Sequence, residues 1–542
     1  MFIISKNSFA AKTAVNEYRK HLKGLHNHFS EVYEFNLNSL HTLYWFSAKP
    51  QDQLHVYTNA LVIGKLKFDE AKSDKPIYHN TEFLVEFADL ELNTLIHTSI
   101  VYYNEETLEV FPNEVVNLYY SSTNISDFQL LIAKAEKLLP SQIGVQILAA
   151  VGYFPGNMTL FEEIKKIPYL CKIKNFKIEK VSDFNPQKHD DKKLLKRLSE
   201  IVPKNDKQSL AMSGGLDSRF VLGILLNSGI KPNLISLDGN EKPIVDEVAK
   251  TYNLKLIVNK GKHIRHDLYT LMTDARLYFR GGNYSKMISE FHNDGIIHYG
   301  FSLIPYNENS FASAWKRPTF SSNLYDDLIY FALLPRVPPN GFKLFKKMIS
   351  KSKMFYFLKK EMEFGLDYFK LKSKKETATW FYHLSRGLTW TYAHLSDLSY
   401  FKYPVFILGD KKASELGFKS SAYSNFNKDR LREINQKLFK ESNIDYSDNR
   451  RFKSLPFIIK DINKIYTEFF KKFFTWLKGL NYTSTDDSQN WFGEIDLKEA
   501  KEFRSYFSED YNTIINSKNS NFRVKRTAVT INDTLMFLEN KR

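Results

Sequence analysis

The middle of the chain alternates short apolar runs with longer stretches that have helical spacing. Residues 209–212, 234–237 and 254–258 are apolar runs of strand length, and such short runs bounded by turn signals are typical of buried strands. Between them, residues 219–226 and 245–252 have the length and apolar spacing of helices. The resulting βαβαβ series predicts a parallel sheet whose ligand lies at the carboxyl ends of the strands.

The first third of the chain follows a different pattern, in which apolar and polar residues alternate over short distances. Residues 54–57 and 108–111 alternate as half-buried strands do, and residues 128–139 have the spacing of an amphipathic helix. We therefore predict an α+β layered domain over residues 1–185, followed by an α/β domain over residues 186–542 with a helical C-terminal part. The only cysteine, Cys171, lies in an alternating run and is expected to be a structural strand residue.

A glycine-rich segment joins the first apolar run of the α/β domain to its first helix. Glycines let the backbone approach an anion closely, serines add hydroxyl donors, and the N-terminus of the following helix adds the positive end of its dipole. These features predict a phosphate cradle, with triphosphate as the natural ligand. The pattern is not that of the Walker loop, and an ordinary glycine-rich turn is the alternative interpretation. The segment consists of Ser213, Gly214, Gly215, Leu216, Asp217 and Ser218.

The acidic residue inside this loop indicates a cation. Asp217 would repel a phosphate group unless a divalent cation lay between the two. Magnesium at nucleotide sites is commonly held by one or two carboxylates together with the phosphates themselves. Asp217 is therefore the first candidate for a ligand of Mg²⁺.

The six loop residues resemble the pyrophosphate loop of the asparagine synthetase family, whose relatives include lactam and macrolactam synthetases. The resemblance implies an adenine nucleotide α-hydrolase-like domain, of the type also called a PP-loop ATP pyrophosphatase. It further implies that ATP activates a substrate carboxylate as an acyl-adenylate, and that an amine then displaces AMP to form an amide. By this resemblance residues 213–218 would bind the pyrophosphate and its magnesium, while Ser236 and Leu237 would lie against the adenine.

The N-terminal region resembles the glutamine-hydrolysing domain of the same family, but without its catalytic groups. Residues 110–120 and 152–168 are similar to two segments of that domain. The family uses a cysteine at position two as nucleophile, where this chain has Phe2, and it binds glutamine through an Arg-Gly motif. The only arginine before position 181 is Arg19, and no glycine follows it. We therefore expect a degenerate Ntn-hydrolase-like (glutamine amidotransferase-like) domain that serves as a scaffold or helps to bind a larger substrate.

The chain also departs from the family pattern at a second loop, whose carboxylates help to bind magnesium in the family. The family carries a Ser-Gly-x-Gly-x-Asp-Glu loop after a later buried strand, whereas here the corresponding strand, residues 295–299, runs into residues 300–306, which contain no carboxylate. Glu308 or Asp294 could substitute from nearby. Within the strand, His298 and Tyr299 are either core residues or substrate-binding residues.

The closing region of the family has a counterpart further along the chain. Residues 380–390, 403–406 and 427–432 follow the order of an aromatic and arginine helix, a proline turn and a Lys-x-x-Leu-Arg helix start. In the family a lysine of this region stabilises negative charge that develops on the α-phosphate, and Lys428 is the candidate here. A solvated lysine in the first turn of a helix is the alternative.

The composition of the chain bears on its binding partners and on its cellular location. The formal net charge is +16 and the isoelectric point is near 9.3, which would suit a nucleic-acid partner, although a well-solvated lysine-rich surface is the simpler interpretation. Residues 342–375 predict a basic amphipathic helix with either a core-facing apolar stripe or a membrane-surface contact. The chain shows no signal peptide and no apolar run long enough to span a bilayer, so we expect a cytoplasmic protein.

Together these patterns predict an ATP-dependent amide-bond-forming ligase that releases AMP and pyrophosphate and lacks its own glutaminase. Its predicted cofactors are ATP and Mg²⁺, and its substrate would be a small-molecule or peptide carboxylate with an amine donor that the sequence does not identify. Nucleic acid is not expected as a partner. The alternative is a catalytically degenerate relative that binds nucleotide or a partner without turnover.

Overall fold

A computed structural model describes about two fifths of the chain. The described residues are 1–21, 32–46, 54–65, 96–181, 190–259, 296–300 and 403–418, with short internal gaps, and short pieces within 434–439, 505–506 and 528–539. They contain helices, two antiparallel six-stranded sheets and one five-stranded parallel sheet. The predicted mixture of helices with a parallel sheet is therefore confirmed. Within these residues, none of the helices combines the length and apolar character needed to cross a bilayer.

The first part of the chain builds the two antiparallel sheets. Along the chain, the elements are β1 (Phe2–Ser5), α1 (Ser8–His21), β2 (Tyr33–Asn36), β3 (Thr42–Trp45), β4 (Leu54–Tyr57), β5 (Ala60–Lys65), β6 (Ile96–Tyr103), β7 (Leu108–Phe111), β8 (Tyr119–Tyr120), β9 (Asn124–Ser126), α2 (Gln129–Glu136), α3 (Gln142–Val151), β10 (Lys165–Lys166), β11 (Cys171–Lys174) and β12 (Lys177–Lys180). The strand orders are β10-β8-β9-β1-β3-β2 in one sheet and β12-β11-β7-β6-β5-β4 in the other.

Apolar side chains from both antiparallel sheets share one core. Phe2 and Trp45 of the first sheet belong to the same buried cluster as Leu61, Val101 and Val110 of the second. Alternation along each strand produces this arrangement, because every second side chain points to the same face of a sheet. On the first sheet, α1 contacts β1 and β3, while α2 contacts β8 and β9. The layered α+β arrangement is thus a stack of helices and two sheets.

Two predictions for this part can be compared directly with the structure. Cys171 is buried at the start of β11 and pairs with Lys180 of β12, so its predicted strand position is confirmed. The helix predicted over 128–139 is shorter and ends at Glu136, because Lys137 adopts a left-handed conformation with φ of 55° and caps it. A residue in that conformation cannot continue a right-handed helix.

The second part of the chain builds the parallel sheet. After α4 (Asp191–Glu200), its elements are β13 (Gln208–Ala211), α5 (Leu216–Asn227), β14 (Asn233–Leu237), α6 (Lys242–Thr251), β15 (Leu256–Asn259), β16 (Ile296–Tyr299), β17 (Tyr403–Val405) and α7 (Lys411–Phe418). The strand order is β15-β14-β13-β16-β17, and every neighbouring pair is parallel. The βαβαβ series predicted from the apolar pattern is therefore present, with boundaries that differ by at most three residues.

The core of this part lies around α5. Phe220, Val221 and Leu225 of the helix are fully buried in one cluster with Leu210 and Ile297 of the neighbouring strands. A helix that is apolar almost all round belongs in the interior of a layered α/β structure. Burying α5 in this way fixes the position of its N-terminus relative to the sheet.

Candidate functional site

The glycine-rich loop lies where the direction of strand addition reverses. β13 is flanked by β14 on one side and by β16 on the other, so the chain leaves β13 toward one edge of the sheet and later returns to the opposite side. The loop follows Ala211 at the carboxyl end of β13 and continues into α5 at Leu216. In open α/β sheets this switch point is where ligands bind.

Hydrogen bonds of two serines hold the loop in shape. The Ser213 amide donates to Ser218 Oγ at 3.2 Å, the two hydroxyl oxygens lie 3.1 Å apart, and Ser218 Oγ lies 3.0 Å from the Ser213 carbonyl oxygen. The Gly215 amide donates to Ser213 Oγ at 3.2 Å. Both hydroxyls that the sequence predicts as phosphate donors are therefore close together at the start of α5.

The first turn of α5 faces this loop without a side-chain cap. Gly215 is the N-cap residue, with φ of −80° and ψ of 167°, and it makes no side-chain hydrogen bond to the helix. The backbone N–H groups at a helix start have no partner within the helix, and they carry the positive end of its dipole. Asp217 lies in this same turn. A helix start without a side-chain cap and one carboxylate therefore lie in the same turn.

Two glycines allow other elements to approach the loop closely. A Cβ atom on Gly300, directly after β16, would lie 2.5 Å from Ser218 Cα and 2.6 Å from Ser218 N. On the opposite side, a Cβ atom on Gly214 would lie 3.0 Å from Ile244 Cδ1 of α6. At Gly300 a side chain would push two backbones apart, whereas at Gly214 a Cβ would crowd the Ile244 side chain. The loop is thus held between the end of β16 and the start of α6.

A carboxylate that the sequence analysis missed lies on the loop. Glu241 Oε2 accepts a hydrogen bond from the Gly214 amide at 3.1 Å. Glu241 is the residue immediately before α6, and it is 27 positions from Gly214 in the chain. Only the packing of α6 beside the loop brings the two together, so local sequence carries no signal of this contact.

The predicted adenine-binding residues lie at the same edge of the sheet as the loop. Ser236 and Leu237 end β14, next to β13, and Ser236 is buried. The Met212 amide donates to the Ile235 carbonyl at 2.8 Å, which ties the beginning of the loop to this strand. Residues 236 and 237 are therefore placed beside the loop at the carboxyl end of the sheet.

His298 and Tyr299 are interior residues of β16. His298 is fully buried, and its Nε2 lies 2.7 Å from Gln208 Oε1 of β13. Burial lowers the pKa of the His298 imidazole to about 3, because the charged form loses its hydration. Tyr299 is 1% exposed. These positions favour the interpretation of both residues as core residues, and His298 is neutral at physiological pH.

Several predicted residues lie outside the described residues. They are Lys428, the possible substitutes Glu308 and Asp294, and the segments 301–306, 342–375 and 380–390. In the part of the chain that the structure describes, no three His, Cys, Asp or Glu side chains come together as a metal site. Asp217 and the loop donors nevertheless fit a magnesium ion bound to phosphate, because Mg²⁺ needs few protein ligands when phosphates and water complete its shell.

Position two, where the resemblance to the family would place a nucleophile, is occupied by an apolar side chain. Phe2 is 1% exposed in the core between the antiparallel sheets, and its amide donates to Asp127 Oδ1 at 2.9 Å. A buried phenyl ring offers neither a nucleophile nor access for glutamine.

A scan of known protein families finds no match to this chain, and no curated protein matches it. The function proposed below is argued from the residues and geometry of the loop.

Proposed function

We propose that this chain is an ATP-dependent amide-bond-forming ligase of the asparagine synthetase type, without glutaminase activity of its own. The observation that carries the proposal is the position of residues 213–218 at the switch point of a parallel sheet. This loop combines hydroxyl donors, an uncapped helix start and a carboxylate in one place. A magnesium triphosphate is the ligand whose charges match all three features.

The proposed architecture follows from the same comparison of residues. The parallel sheet would be a PP-loop synthetase domain within residues 186–542, and the two stacked antiparallel sheets would be a degenerate Ntn-hydrolase-like domain within residues 1–185. Sheet stacking with helices on an outer face supports the second assignment. Phe2 in the core supports the loss of glutamine hydrolysis.

In the proposed reaction, a carboxylate oxygen of the substrate attacks the α-phosphorus of ATP and pyrophosphate leaves. An amine then attacks the acyl carbon, AMP leaves, and the amine releases a proton. Residues 213–218 would hold the pyrophosphate portion, and Asp217 would hold magnesium, which neutralises charge on the leaving group. Lys428 would stabilise charge at the α-phosphate. Ser236 and Leu237 would lie along the adenine.

The test is the release of AMP and pyrophosphate from Mg-ATP in the presence of a panel of carboxylates that includes aspartate, uronic acids and peptides. We expect release only when a suitable carboxylate is present. Loss of the magnesium ligand in Asp217→Ala should lower the rate by at least about a hundredfold, in line with the loss of charge stabilisation at a developing anion. Glu247→Ala, which removes one carboxylate from an exposed position of α6, is the matched control and should retain the wild-type rate.

The absence of carboxylates from residues 300–306 favours a second candidate, a relative that binds nucleotide without turnover. This candidate predicts that Mg-ATP binds while no carboxylate on the panel stimulates release of AMP. Equal release by wild type and Asp217→Ala would contradict the ligase proposal, because the reaction would then not depend on the loop.

A further inference from the structure

The phosphate loop already holds an anion that belongs to the protein. Glu241 Oε2 lies 3.1 Å from the Gly214 nitrogen, so a carboxylate accepts from one of the amides that a phosphate oxygen would need. Gly214 is buried, whereas Glu241 is exposed to solvent. The contact therefore joins a fixed backbone donor to a side chain that water can reach.

Other contacts suffice to hold α6 beside the loop. Ile244, Val245 and Val248 are buried in the core cluster of the parallel sheet, and Ile244 packs directly against Gly214. Within the helix itself, Lys242 Nζ lies 2.6 Å from Asp246 Oδ2, an i,i+4 pair that supports the first turns of α6. Ordering the glutamate side chain costs conformational entropy, and its exposed hydrogen bond adds little to the packing already present. The carboxylate can leave the loop without releasing the helix.

Two anions cannot share the Gly214 amide. A carboxylate that remained at this position would also repel a polyphosphate a few ångströms away, since like charges that close interact strongly at a partly desolvated site. Binding of a polyphosphate therefore requires Glu241 to withdraw from Gly214. A side chain at an exposed position immediately before a helix is free to make that movement.

We propose that Glu241 is an internal occupant of the phosphate cradle, which keeps the loop in its binding shape when empty and yields the Gly214 amide to an incoming polyphosphate. This inference rests on the proposed nucleotide function of the same loop. It adds a regulatory property, because the affinity for polyphosphate is set by competition with the carboxylate. Glu241 favours the empty loop through its hydrogen bond to Gly214, and it disfavours binding of a polyphosphate through its negative charge.

The test measures binding of inorganic pyrophosphate by calorimetry, with and without Mg²⁺, to the wild type and to Glu241→Ala. We expect Glu241→Ala to bind magnesium-free pyrophosphate about tenfold more tightly, because one competing negative charge is removed. Its thermal midpoint without ligand should be only slightly lower than that of the wild type, because the lost hydrogen bond is exposed and contributes little. Glu247→Ala removes the same charge from an exposed position of α6 and should change neither quantity.

A second variant separates charge from hydrogen bonding. Glu241→Gln keeps an acceptor for the Gly214 amide but removes the charge, so its pyrophosphate affinity should lie between those of the wild type and Glu241→Ala. Weaker binding by Glu241→Ala would overturn the proposal and identify Glu241 as a brace or as a magnesium ligand. Unchanged binding would overturn it while leaving the nucleotide site intact. If neither wild type nor variant binds pyrophosphate or Mg-ATP, the proposed function fails as well.

Discussion

Burial of a neutral histidine inside the parallel sheet makes the stability of the folded protein depend on pH. His298 is enclosed in β16, and its one described hydrogen-bond partner is Gln208. The pKa of its imidazole is lowered to about 3 from the ordinary value of 6.5 by loss of hydration. Below pH 6.5 the unfolded chain binds a proton that the folded chain excludes, so stability falls as the pH decreases from 6.5 toward 3.

The variant His298→Gln should remove this part of the pH dependence. Between pH 7 and pH 5 the histidine alone should cost the wild type about 2 kcal/mol in the free energy of unfolding. Urea unfolding at the two pH values measures the difference. The variant should have a smaller total stability but a flatter profile. Identical pH profiles for the two proteins would show that His298 takes up its proton in the folded state.

At the residue scale, the sequence predicted the loop but not its surroundings. Residues 213–218 are contiguous, and their order alone predicts a phosphate cradle. Glu241 and Gly300 reach the loop from two other elements, so their roles depend on which side of β13 each neighbouring strand occupies. No periodicity in a single sequence encodes that choice.

At the element scale, boundaries were shifted although element types were predicted well for the parallel sheet. The helix predicted over 219–226 begins earlier, at Leu216, because the loop leads into the helix without an intervening residue and Gly215 serves as its N-cap. The apolar run 254–258 predicted a strand that the structure places at Leu256–Asn259. There Asn253 has φ of 50° and belongs to the turn that ends α6. In both cases the turn residue beside the element, Gly215 or Asn253, sets the boundary that the apolar pattern missed.

Lys134 of α2 contacts both α1 and two residues late in the chain, Phe537 and Leu538. Lys134 Nζ donates to the carbonyl oxygens of Phe537 and Leu538 at 2.7 and 2.9 Å, and lies 2.9 Å from Glu17 Oε2 of α1. Phe537 also packs edge-on against Tyr18, with ring centroids 5.8 Å apart. The ammonium group thus donates to two carbonyl oxygens of residues 537 and 538 and pairs with a carboxylate of α1.

We expect Lys134→Ala to weaken this docking. The variant should lose about 2 kcal/mol of stability, because an ion pair with a largely buried lysine and two charge-assisted hydrogen bonds are removed together. Hydrogen exchange of residues 528–539 should accelerate in parallel. The control is Lys12→Ala, which removes an exposed pair with Glu34 and should leave exchange of this segment unchanged. Unaltered exchange in Lys134→Ala would show that apolar contacts alone hold the segment.

At the scale of the whole molecule, residues late in the chain contact helices of its first part. The carbonyl of Tyr506 accepts hydrogen bonds from Gln142 and Gln146 of α3 at 3.4 and 2.9 Å, and the segment around Phe537 packs against α1 and α2. Short pieces far along the chain therefore contact α1, α2 and α3. A sequence read for local pattern predicts each part but not these long-range contacts, which arise from packing of distant segments.

The proposed function depends above all on the loop between β13 and α5. The most direct measurement is equilibrium binding of Mg-ATP to the wild type and to Asp217→Ala, by calorimetry, with circular dichroism to verify that the variant is folded. We predict binding by the wild type and at least a tenfold weaker affinity in the variant, because the magnesium ligand is lost. Equal affinity of the two proteins, or no binding by the wild type, would contradict the assignment of residues 213–218 as a triphosphate site.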